Sequence, residues 1–245
     1  MAGYEMVSDN VALVRERIAA AAIRSGRRPD EISLLAVSKF HPIEAVDAAW
    51  AAGLRLFGEN RVQEAESKFG DRSERLPGAR LEFVGSLQSN KAKRACALFD
   101  AVQSVDSEDL LRELDSRAKA LGRRLDILFE LHTAEDSKAG LLGLDALLRA
   151  CELAAELGAT ANSPGPGGLD PRGLMTMAPF TDDETAVRSS FRALREALSA
   201  VQARFAFPGF ETLSMGMTGD FETAIEEGST LVRIGTAIFG ERGRP

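Results

Sequence analysis

Cysteine, histidine, tyrosine and tryptophan are all scarce in this 245-residue chain, with two, two, one and one copies. Cys96 and Cys151 lie far apart, form no CxxC pair and each fall in a helical pattern. That spacing excludes a disulfide framework and a thiol-rich metal site; it predicts buried or half-buried free thiols in a reducing compartment. No apolar run approaches the ~20 residues of a membrane span. Glu5, Asp9, Arg15, Glu16 and Arg17 interrupt any signal-peptide core, so the expectation is a soluble, cytoplasmic protein that does not engage membranes. A strong charge of one sign is missing too. The net charge is −7 with acidic and basic residues interspersed, which argues against nucleic acid or an anionic membrane as a partner. The one small basic group, Arg24, Arg27 and Arg28, follows an Ala-rich helical stretch, where cations favour the negative end of the helix dipole.

What is present is a large apolar fraction, 44%, enough for a substantial core. Residues 9–25 carry Val11, Val14, Ile18 and Ala22 at helical spacing. Short β-prone runs then recur at 32–38, 54–58, 81–85, 101–105, 125–131, 173–178, 212–215 and 231–235. Helical patterns separate them at 43–52, 61–69, 89–99, 107–121, 143–157, 183–204 and 220–227. Strands alternating with helices imply parallel strands joined by right-handed crossovers, and eight such units predict a (β/α)8 barrel as a single domain, 1–245. The leading helix is expected to cover the gap left by an eighth outer helix. A doubly wound open sheet is the alternative, but it would carry a Gly-rich loop after its first strand, and "SKFHP" is not one. The low-complexity stretch "GATANSPGPGGLDPRG", 158–173, reads as a long loop on the non-catalytic end of the barrel.

Barrel chemistry gathers at the C-terminal ends of the strands, with phosphate often held after the last two. Strand 1 ends in Ser38-Lys39. The seventh runs into "SMGMTGD", 214–220, and the eighth into "RIGTAIFG", 233–240. Gly235 and Thr236 open a short apolar turn, while Ser214, Gly216 and Gly219 offer a hydroxyl and further amides, so both turns suit an anion. Period-two alternation places Leu35, Val37 and Lys39 on one side and turns Arg233 inward between Val232 and Ile234. A guanidinium inside a barrel needs an acceptor, either an interior carboxylate such as Glu59 or Glu130, or a ligand. Lys39 is open to two readings, a solvated loop residue or a carbonyl-trapping amine. Burial and a neighbouring cation would both raise its reactive, uncharged fraction. A rim lysine, two phosphate turns and a central arginine together describe a site for a phosphorylated aldehyde.

The blocks "LLAVSKFHPIEAVDAAWAAGLRLFGENRVQEA", "FVGSLQSNKAK", "SKAGL", "RGLMTMAP" and "LSMGMTGDFETAIEEGSTLVRIGTAIFGER" resemble the pyridoxal phosphate homeostasis protein family. Its fold is similar to the N-terminal barrel of alanine racemase. The resemblance implies pyridoxal 5′-phosphate as cofactor, bound to Lys39 as a Schiff base. It places Asn60 beside the ring, Arg233 at the pyridine nitrogen, and the phosphate at Ser214, the Met215 amide, Gly235 and Thr236. The pattern departs at Arg61, where an aromatic is common, at Leu131-His132, where an asparagine is typical, and in the Gly/Pro-rich 158–171. The function expected is vitamin B6 homeostasis with pyridoxal-phosphate-dependent apoenzymes as recipients; the missing second base argues for no efficient catalysis, and the missing second domain of the racemase dimer for a monomer. A slow, broad amino-acid racemase is the alternative, and a class I aldolase using Lys39 a third. Against the racemase, the only tyrosine is Tyr4, outside the motifs, and His41 and His132 read as surface-loop histidines.

Overall fold

The computed structural model describes residues 4–133, 140–159 and 167–241. Its strands are β1 (Ser33–Val37), β2 (Leu56–Glu59), β3 (Arg80–Phe83), β4 (Ala101–Val105), β5 (Arg124–His132), β6 (Leu141–Leu142), β7 (Gly168–Met175), β8 (Thr212–Ser214) and β9 (Leu231–Ile234). Every pairing is parallel, and the order runs β4-β3-β2-β1-β9-β8-β7-β5. Pairing of β4 with β5 closes the ring, while the two-residue β6 only adds to the end of β5. This is the eight-stranded barrel that the alternation predicted.

Among the described residues, ten helices accompany the strands: α1 (Met6–Arg24), α2 (Ile43–Ala51), α3 (Val62–Phe69), α4 (Arg72–Arg75), α5 (Ala92–Leu98), α6 (Glu108–Ala120), α7 (Gly143–Glu156), α8 (Glu184–Arg204), α9 (Phe221–Glu226) and α10 (Thr236–Phe239). Ser107 starts α6 by accepting from the Leu110 amide, and Asp183 starts α8 by accepting from Thr185 and Ala186, as short polar caps do. α1 buries Val7, Val11, Val14 and Ile18 against α2, α9 and α10, and so fills the place of an eighth outer helix. Each of those side chains contributes roughly 1.5–3 kcal/mol. The basic group at its end is not left to the dipole: Arg24 pairs with Glu226, and Arg27 donates to the carbonyls of Ile225 and Ser229.

The main core lies between barrel and helices. Inside the barrel a small apolar cluster, Leu35, Val37 and Leu231, shares space with polar side chains. Buried Glu82, Gln103, Ser214 and Arg233 form a hydrogen-bonded column across it. Below, Arg80 bridges Glu82 and Asp126, and Arg172 bridges Asp126 and Asp170.

One strand was misplaced by sequence. β7 begins at Gly168, within the stretch expected to be loop, and ends at Met175 rather than near 178. A bulge absorbs Pro171: Ile127 faces Pro171, Leu128 faces Gly173, and Arg172 is left over. Proline lacks the ladder donor, so a strand carries it at such an irregularity. Gly173 has φ 153°, and a Cβ there would lie 2.0 Å from the Thr212 carbonyl oxygen. Glycine is therefore what lets β7 and β8 approach. The rest of the expected loop, 160–166, lies outside the described residues.

Candidate functional site

Lys39 stands one residue beyond the Ser38 that ends the β1 run. The inward pair Leu35 and Val37 and the outward Ala36 confirm the alternation, and half-buried Lys39 lines the cavity at the barrel mouth. Ser38 turns the other way and donates to Glu59 Oε1 at 2.7 Å. The chain then turns through Phe40 at φ 67°. Lys68 Nζ, on α3, donates to the carbonyls of Ser38 (2.8 Å) and His41 (3.1 Å), and pairs with both Glu64 and Glu59. Burial pushes the Glu59 carboxyl above its ordinary range, against the pull of the Lys68 ammonium and two hydrogen bonds. Lys68 was missed by sequence reasoning. The available signal was its position beside Phe69 on the face of α3 that carries Val62 and Ala65.

The cavity has a volume of about 540 Å³. Lys39 and Arg233 meet in it, with Gly235 and Thr236 on one wall, Met217 to Asp220 beside them, and Met177 and Phe180 on the outer rim. Arg233 is buried and points inward, as the alternation predicts, donating to Ser214 Oγ (2.8 Å) and to the Thr176 carbonyl (2.7 Å). Of the two carboxylates offered for it, Glu59 faces Lys68 instead. Phe57 and Glu59 share a parity, which takes both out of the barrel. Glu130 faces inward and acts on Arg233 through space together with Asp220. Burial lowers the guanidinium to about 10, so it stays protonated at neutral pH. Burial likewise raises Glu130 to about 7, with Asp106 adding to the rise and Arg233 opposing it.

The remaining predicted residues divide. Asn60 directly follows β2 with its Oδ1 buried and without a partner among the described residues, and the backbone of Gly85 is pressed against it: a Cβ at Gly85 would sit 2.5 Å from the Asn60 carbonyl oxygen. Ser214 and Met215 are fully buried below the cavity floor. The Ser214 hydroxyl donates to Gln103 Oε1 (2.6 Å), and the Met215 amide donates to the Leu231 carbonyl (3.1 Å). Either reaches an anion only by giving up its present partner. Gly216, at φ 96°, serves packing: a Cβ there would lie 2.6 Å from that of Ala224.

His41 is a correction. Expected on a surface loop, it is buried and packs on Phe239 with ring centroids 5.2 Å apart. His132 is half-buried at the end of β5. Arg61, in place of the common aromatic, lays its guanidinium 5.2 Å from the centre of the Phe40 ring. The "SKAGL" block lies largely outside the described residues. Both cysteines are buried and free, and burial pushes Cys96 up to about 11 and Cys151 up to about 12, so neither is a nucleophile at neutral pH.

Residues 11–243 match the family model for the alanine racemase N-terminal domain. A pyridoxal phosphate homeostasis protein of Escherichia coli is 40% identical over 238 residues, which is 96% of this chain and 97% of that one. The chain belongs to the pyridoxal phosphate homeostasis protein family. PipY of Synechococcus elongatus, whose structure has been solved with pyridoxal phosphate bound, is 35% identical and superposes with a TM-score of 0.78 over 93% of this chain and 100% of that one. Alanine racemase of Streptomyces coelicolor shares the fold at 21% identity and a TM-score of 0.65, with 94% of this chain matching 58% of the enzyme. The homeostasis protein family is therefore built here on the barrel half of the racemase architecture. Among the described residues, no helix is long and apolar enough to cross a membrane, and no cluster of His, Cys, Asp and Glu could hold a metal ion.

Proposed function

We propose that this chain is a single-domain carrier that binds pyridoxal 5′-phosphate reversibly through Lys39 and serves B6 homeostasis inside the cell, without efficient turnover. The observation that carries it is one cavity lined by Lys39, Arg233 and the Gly235–Thr236 turn. The residues suit the cofactor in three ways. Lys39 can bond the aldehyde carbon with loss of water. The orphaned Oδ1 of Asn60 lacks a donor that a ring substituent can provide. Gly235, which lines the cavity, has no side chain to hold a ligand off its backbone. The phosphate is assigned to Gly235 and Thr236, with Ser214 and the Met215 amide behind them. When bound, pyridoxal phosphate supplies an electrophilic aldehyde and a ring able to accept electrons.

Arg233 limits that last property. A guanidinium keeps its protons, so toward the pyridine nitrogen it can only donate, which leaves the nitrogen unprotonated and the ring a weak electron sink. Moving a proton between two faces of a substrate also needs a second base. Among the described residues lining the cavity none is tyrosine or histidine, Tyr4 packs against the outer core, and His41 packs at a tilt against Phe239. Pyridoxal-phosphate-dependent apoenzymes are the recipients that a carrier would serve.

Near-ultraviolet and visible spectra before and after borohydride, with peptide mapping, test the cofactor. A reduced pyridoxyl group on Lys39 is expected, and a sugar-phosphate adduct there would instead favour the aldolase. Incubation with L-alanine and other amino acids tests the absence of turnover. Racemisation of several per second that Lys39→Ala abolishes would establish the racemase.

A further inference from the structure

Phe40 is the one non-glycine residue with positive φ among the described residues, and it directly follows Lys39. A side chain disfavours that conformation, so the turn needs something to hold it. The His41 amide closes the turn by donating to the Ser38 carbonyl at 3.1 Å, and α3 braces it further. The carbonyls of Ser38 and His41, which bracket Lys39 and Phe40, converge on the single ammonium of Lys68 at 2.8 and 3.1 Å. Glu64 Oε1 accepts from that ammonium at 2.9 Å and from the Phe40 amide at 2.6 Å. Glu59 completes the charge balance and is tied back to the turn through the Ser38 hydroxyl. The Lys68 side chain is only 6% exposed. Burying a lysine on an apolar helix face is costly unless every donor is used, and here each bond reaches the turn or a carboxylate bound to it.

We propose that Lys68 and Glu64 are positioning residues that clamp the Ser38–His41 turn in the conformation that presents the Lys39 amine to the cavity. The role rests on Lys39 as the residue that bonds the aldehyde. Lys68 is not among the described residues that line the cavity; it acts through two carbonyls, and Glu64 through one amide. The clamp fixes the amine before the ligand arrives, so the ordering of the turn is not charged against binding. Released, Phe40 would relax to negative φ and rotate the peptide that carries Lys39.

Two variants of the full chain, Lys68→Met and Glu64→Ala, separate the possibilities. In the ligand-free protein, hydrogen exchange at the Phe40 amide is expected to speed up tenfold or more in both. The pyridoxal phosphate concentration that half-loads Lys39, read by borohydride trapping and peptide mass, is expected to rise about tenfold in Lys68→Met and several-fold in Glu64→Ala. Adding Phe40→Gly to Lys68→Met should recover much of the loading, because glycine adopts this turn unaided. A role in stability alone would not be rescued that way. Glu64 is peripheral enough to be replaced without unfolding the chain, so it carries the test if Lys68→Met does not fold. Folded variants that load at the unaltered concentration, or a Phe40→Gly addition that recovers nothing, overturn the clamp. No adduct on Lys39 in the unaltered protein overturns the cofactor role first and the clamp with it; a loaded unaltered protein beside equally loaded variants overturns the clamp alone.

Discussion

Arg233 Nη1 lies 2.8 Å from Ser214 Oγ, and that hydroxyl in turn donates to Gln103 Oε1. The guanidinium is thus oriented by a neutral hydroxyl and the Thr176 carbonyl rather than by an ion pair, since Glu130 and Asp220 act on it only through space. A cation held this way keeps donors for a ligand, whereas a bidentate carboxylate would have consumed them. Arg233→Leu should therefore leave Lys39 able to trap pyridoxal phosphate but alter the spectrum of the bound state. It should weaken binding by about 1.5–3 kcal/mol, the worth of a charge-assisted hydrogen bond. Unchanged affinity and spectrum in a titration would place the ring nitrogen elsewhere.

Gln103 joins the site to the ion pairs below it. Its amide donates to Glu82 Oε2 at 2.5 Å while its oxygen accepts from Ser214, and it is fully buried. Gln103→Leu removes both bonds and leaves a buried hydroxyl and a buried carboxylate short of a partner. The expected loss is about 1–3 kcal/mol of stability, measured by denaturant unfolding. Arg233 should also lose orientation, so the bound-state spectrum ought to shift in the direction seen for Arg233→Leu.

Glu130 gives the molecule a pH dependence of definite sign. Its folded-state value of about 7 exceeds the ordinary 4.5, chiefly through burial. The neutral carboxyl is thus the form the fold prefers. Its stabilising effect is complete below the ordinary value, is lost as pH rises through 7, and stays lost above. Glu130→Gln fixes the neutral form. Relative to the unaltered chain, the variant should gain stability progressively from pH 4.5 to about 7 and then hold a constant advantage. That advantage is on the order of 3 kcal/mol at most. Equal unfolding midpoints for the two proteins at pH 8 would show the carboxylate to be well solvated in the folded state.

The barrel was legible because its signals are local. Apolar runs of four to seven residues alternate with helical periods, and parity alone turned Arg233 into the lumen and Lys39 toward the rim. Glu59, offered as a partner for Arg233, was misassigned: it shares its side of β2 with Phe57, which packs in the core outside the barrel. β7 was illegible because "GLDPRG" combines glycine and proline, the residues that punctuate loops. What makes it a strand is a bulge opposite Ile127 and Leu128 and the close pass at Thr212, both tertiary. His41 failed for a similar reason. Its burial depends on Phe239, nearly the whole chain away, and no local pattern announces that contact. The Lys68 clamp joins α3 to the turn after β1, and only the folded chain brings those carbonyls to one ammonium.

Asn60 and Gly85 make the sharpest local test of the site. An added Cβ at Gly85 meets three atoms of Asn60 at 2.5, 2.8 and 2.9 Å, two of them backbone. Backbone cannot rotate aside as a side chain can, so one of the two strand ends must move. Gly85→Ala should cost about 1–3 kcal/mol, as overpacking does. It should also displace Asn60 and so weaken retention of pyridoxal phosphate. Asn60→Ala removes the amide but leaves the backbone in place, and should weaken retention with little change in thermal midpoint. The pair of measurements separates the two roles, since only a backbone displacement lowers both quantities. A Gly85→Ala protein that melts and binds as the unaltered chain does would mean that the two segments have room to part.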